Sequence, residues 1–351
     1  MNKFYNVVLV VLALSLLNPI GALAQDDLDE LLKGSLSDAN KLVEGYIGPA
    51  MRGISGGLNQ GWYNTAKPHK TLGVDFTVTT SMMFVPSSEK FYTVDNNQLD
   101  EVELTSFDGQ PVGPTGSAQV PTIFGPDKTP TYRLRADPTT TPPTPASPEF
   151  DGPPGLDLKE NIKIADALPV PVYHLGIGLP KSTDLKIRFS PTLNLGDAKY
   201  SLFGIGVMHD FKQWIPGIKN LPFDMSAFVG YTKTKLDVDI SGTSAGENQR
   251  GIVEFKSTTI QGLISKKISV LTFYGGVGYN IGKANVDMTG TYDLDDDGTA
   301  EATDPVALSF TNNGLRATAG MRLKLAIFTF HGDYTLAKFN ALSVGFGINV
   351  R

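Results

Sequence analysis

The chain has 351 residues, a formal net charge of −6, no cysteine and 37 glycines. Acidity without a basic stripe of interleaved aromatics excludes nucleic-acid binding. The missing cysteine excludes disulfides and attachment of lipid through an amino-terminal thiol.

Lys3 precedes an apolar run from Val7 to Leu17, and Ala22-Leu23-Ala24 then offers a small-residue cleavage site before Gln25. Residues 1–24 therefore read as a secretory signal peptide; the run is too short and wrongly flanked for a membrane anchor. Asp26-Asp27-Leu28-Asp29-Glu30 next opens an amphipathic helix with Leu31, Leu32, Leu36, Ala39, Leu42, Val43, Tyr46 and Ile47 at helical spacing, and Gly48-Pro49 is expected to end it. The stretch Gly53–Ala66 is rich in glycine, so it packs into confined space. Segment 25–66 is expected either to plug a barrel from the periplasm or to cap its periplasmic mouth, with the apolar stripe of the helix as a possible partner surface.

No later stretch reaches the ~20 apolar residues of a spanning helix, while residues 67–351 alternate. Val74, Phe76, Val78, Met82 and Phe84 oppose Asp75, Thr77, Thr79 and Ser81; Leu315, Ala317, Ala319, Met321, Leu323 and Leu325 oppose Arg316, Thr318, Gly320, Arg322 and Lys324. Strand side chains switch faces at each residue, so each run has one face for lipid and one for water. A soluble sandwich alternates likewise, but the signal peptide, the glycine content and aromatics near strand ends favour an all-β fold: a transmembrane antiparallel up-and-down β-barrel with an N-terminal amphipathic helix. Strands are expected at about 71–85, 170–179, 183–196, 198–211, 222–240, 251–267, 270–292, 306–325, 328–336 and 342–350, ten in all. In 222–240 the apolar phase moves from odd residues to even ones, which a bulge near Lys233 or emergence from the membrane would explain. Long polar connections alternate with short ones, with both chain ends on the periplasmic side. The exception is the long link from Asp210 to Pro222, whose Trp214 suits an interfacial anchor.

Residues 86–167 form an insertion. It holds a hairpin at about 98–107 and 118–135, and Asp137–Pro154 carries seven prolines in eighteen positions. If that hairpin joins the wall the count is twelve, the favoured number in a range of ten to fourteen; otherwise it folds over the barrel mouth.

The positions expected to face the lumen include Asp75, His174, Lys186, Arg188, Asp210, Arg316, Arg322, Lys324, His331 and Asp333. Mixed charge of this kind suits either a selective path or a cross-linked filling, and a narrow barrel favours the filling. No spacing joins a nucleophile to His174 or His331 as its base, so no enzyme is expected. Asp293, Asp295 and Asp297, with Gly298 and the Thr299 carbonyl, match the opening of a calcium loop, although the flanks read as strands. Structural Ca2+ there, or simply a solvated acidic loop, are the two alternatives, and no other cofactor is expected.

The signal, the Gly53–Ala66 segment, the stretch Gly206–Gly217 (GVMHDFKQWIPG) and the alternating carboxyl end together resemble outer-membrane barrels of Bacteroidota-type bacteria. More distantly, a glycine-rich plug before a barrel is similar to the long-chain fatty-acid transporter type, which implies passage of hydrophobic compounds. Arg351 departs from the aromatic ending usual in such barrels. The expectation is an outer-membrane protein that passes small, hydrophobic molecules, or else a filled barrel displaying its outer loops, with a lipid hydrolase as the remote alternative. Expected partners are outer-membrane lipid, the barrel assembly machinery and a small solute, with no nucleic acid.

Overall fold

Strands with an apolar outer face cannot leave open edges in lipid, because nothing there hydrogen-bonds the unpaired backbone. In the computed structural model, which describes residues 36–136, 145–162, 166–218, 220–241, 246–293, 298–300 and 302–350, the sheet closes on itself. The signal peptide, the acidic opening of the helix and part of the proline-rich stretch lie outside the described residues.

Helix α1 (Leu36–Gly57) precedes β1 (Val74–Phe84). Six short strands follow: β2 (Phe91–Asp95), β3 (Val102–Phe107), β4 (Gln110–Pro111), β5 (Ser117–Pro121), β6 (Pro130–Leu134) and β7 (Phe150–Asp151), then a short helix α2 (Leu158–Ile162). The wall resumes with β8 (Ala167–Leu179), β9 (Thr183–Leu195), β10 (Ala198–Asp210), β11 (Asp224–Asp239), β12 (Arg250–Ile268) and β13 (Leu271–Thr289). A ribbon of β14 (Thr291–Tyr292) and β15 (Ala302–Thr303) leads to β16 (Val306–Thr311), β17 (Gly314–Leu325), β18 (Phe328–Leu336) and β19 (Ala341–Val350). Neighbours run antiparallel from β12 through β11, β10, β9, β8, β1, β19, β18 and β17 to β13, which pairs back onto β12. Since β16 and β17 lie end to end against β13, the ring has ten strand positions among the described residues.

The favoured count of twelve is thereby corrected. Crossing a bilayer takes about 9–11 residues per strand, and β2–β7 have between two and six. They form two small sheets, β2-β5 and β4-β3-β6-β7, off the wall. Val94, Val102, Leu104, Val120, Phe124 and Tyr132 are buried there in one apolar cluster with Leu42, Val43, Tyr46 and Ile47 of α1. The insertion is thus a cap seated on the plug helix. Asp38, fully buried, staples the two: its carboxylate accepts from the backbone N–H groups of Asp100, Glu101 and Val102.

The helix also corrects the expected stop at Gly48-Pro49, because it continues to Gly57. An interior proline costs roughly 3 kcal/mol. Here the cap and the lumen pack most of its surface, and Ile47, Ala50, Met51 and Ile54 are all buried, so tertiary contact outweighs the local break.

No bulge interrupts β11, whose register with β10 and with β12 is continuous. Its even residues face inward throughout; it is the chemistry of the faces that changes. Near the chain-end side the outward residues are Met225, Ala227, Val229 and Tyr231, and beyond them they become Lys233, Lys235, Asp237 and Asp239, while Leu236 and Val238 turn inward into the core. The strand leaves the membrane and enters a second zone. β12, β13 and β16 do the same, burying Val253, Phe255, Ala284, Val286, Met288, Leu308 and Phe310 on the inside.

Candidate functional site

The lower lumen, on the side where Val74 pairs with Val350, holds the segment that joins α1 to β1. Chain direction sets its path. The helix begins beneath the cap and runs down the upper lumen, and the segment descends the lower lumen before β1 climbs again. The plug therefore reaches the lower lumen from the capped end, not from the chain-end side as expected for periplasmic entry.

Two arginines of the wall hold the segment by its backbone. Arg188, fully buried on β9, donates from Nη1 to the Leu58 carbonyl at 2.7 Å and to Thr232 Oγ1 at 3.2 Å, and from Nη2 to the Gln60 carbonyl. Its guanidinium lies 3.6 Å over the Trp62 ring. On β17, Arg316 donates to the Asn59 carbonyl at 2.9 Å and to Gln60 Oε1 at 2.7 Å. Hydrogen bonds to a charged donor contribute about 1.5–3 kcal/mol each, and a desolvated cation–π contact about 2 kcal/mol. Trp62, 1% exposed, fits because Gly206 and Gly230 face it; a Cβ on either would stand 3.0 or 2.9 Å from the indole.

Further down, Tyr63 donates to Gln261 Oε1 at 2.6 Å, Ser226 donates to the Ala66 carbonyl at 2.6 Å, and Ser265 accepts from the Ala66 N–H at 3.0 Å. The segment ends in a charge knot. Asp184 accepts from the backbone N–H of His69 and lies 2.8 Å from its Nδ1. His69 Nε2, His174 Nε2 and Lys186 Nζ stand 3.5, 3.3 and 3.7 Å from Asp75, and Asn349 closes the far side against His69.

Of the positions expected to line the lumen, Asp75, His174, Lys186, Arg188, Arg316, Arg322, His331 and Asp333 are buried inside the wall. Asp210 and Lys324 sit at the lower rim: Asp210 accepts from the Lys212 N–H, and Lys324 meets Asn349. They do not form one constellation. Asp75, His174 and Lys186 meet, Arg188 and Arg316 grip the segment from different walls, His331 meets Thr79, and Asp333 accepts from Tyr274. Asp184 escaped the sequence reading although it shares the parity of Lys186 and Arg188, which was signal enough to find it. His69 and Trp62 lie on irregular chain, where no periodicity marks an inward residue. Trp214 is 63% exposed at the lower rim and donates to His209. In the cap, burial pushes the Tyr132 phenol well above the ordinary tyrosine value, with the neighbouring Tyr92 adding to the effect.

The acidic motif lies mostly outside the described residues, which omit Asp295 and Asp297. Asp293 is buried and accepts from the Gly298 N–H at 2.8 Å. Among the described residues no three His, Asp or Glu side chains gather as metal ligands.

A closed antiparallel ring with an apolar outer band, its interior polar in the lower part and filled by the chain's own helix and segment, defines an outer-membrane-type β-barrel. The chain belongs to the family described as "Family of unknown function (DUF6588)", whose model matches residues 1–350. No curated protein matches it in sequence. Similar solved structures include Ail, the attachment invasion locus protein of Yersinia pestis (8% identity over 80% of this chain and 98% of that one, TM-score 0.27). The translocator domain of the autotransporter NalP from Neisseria meningitidis is 11% identical over 86% and 93% of the two chains, with TM-score 0.23. The outer-membrane channel DcaP of Acinetobacter baumannii is 9% identical over 82% and 99%, with TM-score 0.15. Similarity this low carries no argument about this chain.

Proposed function

We propose that this protein is a closed barrel of the outer membrane that holds a β-rich cap at the cell surface, with the lumen serving as its core rather than as a path. One observation carries the reading: the plug helix, the cap and the upper barrel wall share a single apolar cluster. Withdrawing the helix would expose that cluster to water, which costs about 25 cal/mol per Å2 of apolar surface. Export through a cleaved signal peptide and insertion by the barrel assembly machinery belong to this reading, and partners meet the cap and the outer connections. It assigns no turnover to His174 or His331, which are buried in the wall.

A second reading keeps the passage of small, hydrophobic solutes that likeness to the fatty-acid transporter type implies. The polar lower lumen favours it, as does Asn59, whose buried amide oxygen and nitrogen both lack hydrogen-bond partners among the described residues. In this reading only the segment below the helix shifts. Planar-bilayer recording separates the two. The closed reading expects silence from the intact protein and from the Arg188→Ala/Arg316→Ala variant; discrete conductance steps in the intact protein overturn it, and steps confined to the variant favour the passage.

A further inference from the structure

Lys233, Lys256 and Lys283 stand directly opposite one another on β11, β12 and β13. All three point outward. Neighbouring strands are about 4.8 Å apart, so the row spans roughly 10 Å. Like charges directly opposite on adjacent strands are destabilising unless an anion lies among them. The protein supplies one such anion, Glu254, which lies 2.6 Å from both Lys233 and Lys256. Lys283 has no ion-pair partner among the described residues. Higher up the same strands the signs mix, with Lys235 paired to Asp237, Arg250 also on Asp237, and Asp287 beyond. Only the row nearest the membrane is wholly cationic.

Below it the outer wall becomes apolar: Tyr231 and Ile281 flank Thr258 in the next outward row, and Ile260, Tyr279 and Leu315 face out in the row after that. Across β12, β13, β17 and β18 two adjoining grooves, of ≈ 900 and ≈ 520 Å3, share Gly262, Val277, Ala317 and Leu336. The larger begins at Ile260 and Tyr279, paired residues four positions below Lys256 and Lys283, or about 13 Å down the strands. Cations at the interface above an apolar trough are the two halves of one recognition problem: an anionic headgroup joined to hydrocarbon chains.

We propose that this wall is a binding site for a phosphate-bearing lipid of the leaflet on the capped side. Lys256 and Lys283 hold the phosphate, and chains lie in the groove over Gly262 and Ala317. The site rests on the membrane reading above but not on whether the lumen conducts, since it lies wholly on the outer wall.

The test uses the full chain purified in a non-ionic detergent and titrated by native mass spectrometry with diphosphoryl lipid A and with its dephosphorylated form. The intact protein is expected to retain the diphosphoryl lipid at least about tenfold more tightly. Lys256→Gln/Lys283→Gln is expected to abolish that preference. A Cβ added at Gly262 meets no atom within 4 Å, so Gly262→Leu can start its side chain into the groove; it is expected to weaken both lipids while keeping the preference. Heat-modifiable gel mobility shows that each variant is folded. Equal retention of the two lipids by the intact protein, or undiminished preference in the double lysine variant, overturns the site. Conductance by the intact protein would remove the closed-lumen reading and leave this one standing.

Discussion

The two ends of the long strands β11, β12 and β13 solve opposite problems. Below the row of Thr232, Ser257, Gly282 and Asn312, the wall is apolar outside and polar inside, because lipid surrounds it and the plug segment offers it carbonyls and hydroxyls. Above that row, on β11, β12, β13 and β16, the order reverses: Lys235, Glu254 and Asp287 face out, while Val253, Val286 and Phe310 face in. Strand geometry is indifferent to the change, since period two places a residue on a face without saying which solvent that face meets. A single β-strand can thus be a membrane element at one end and the wall of a water-soluble core at the other.

The largest expected effect breaks the upper half. Phe255→Asp places an unpaired carboxylate in the shared apolar cluster and is expected to cost more than about 4 kcal/mol; loss of the heat-modifiable band on gels would show it. If the upper interior were a wet lumen, the variant would instead fold normally. Next comes the plug. Trp62→Ala removes the ring between Arg188, Gly206 and Phe228, and a loss of about 3–5 kcal/mol is expected from the denaturant midpoint of the folded band. Third, Val277→Arg puts a charge on the lower outer face, where the side chain is 66% exposed; a cost of about 2–4 kcal/mol is expected for refolding into bilayers. A negligible cost there would deny the lipid band. The smallest effect sharpens the contrast: Lys235→Gln on the upper outer face removes a surface pair with Asp237 and is expected to change stability by less than about 0.5 kcal/mol.

Most of the wall was legible because lipid imposes a strict rule on each outward position. The runs ending in Leu325, Leu336 and Val350 occur as strands, and the inward parity that selected Arg188, Arg316 and Asp333 holds through the parts of β9, β17 and β18 that carry them. The phase change within 222–240 was also visible, but one strand cannot tell a bulge from a change of solvent. That distinction needs the neighbours: only beside β12 and β13 do Leu236 and Val238 prove to face a core. The cap was ambiguous for the same reason, since β2–β7 carry strand-like residues whose partner is not written locally.

By itself the sequence determined the alternation, the amphipathic helix and the polar inward faces, all of which follow from side-chain period and local composition. The tertiary structure decided the rest. Burial of most of its surface carried α1 through Pro49, the closure of ten strands left the insertion outside the ring, and the descent of the segment from helix to β1 brought His69 to Asp184 and Asp75. Each depends on contacts between residues far apart in the chain, whose energies outweigh local preference and leave no periodic trace in it.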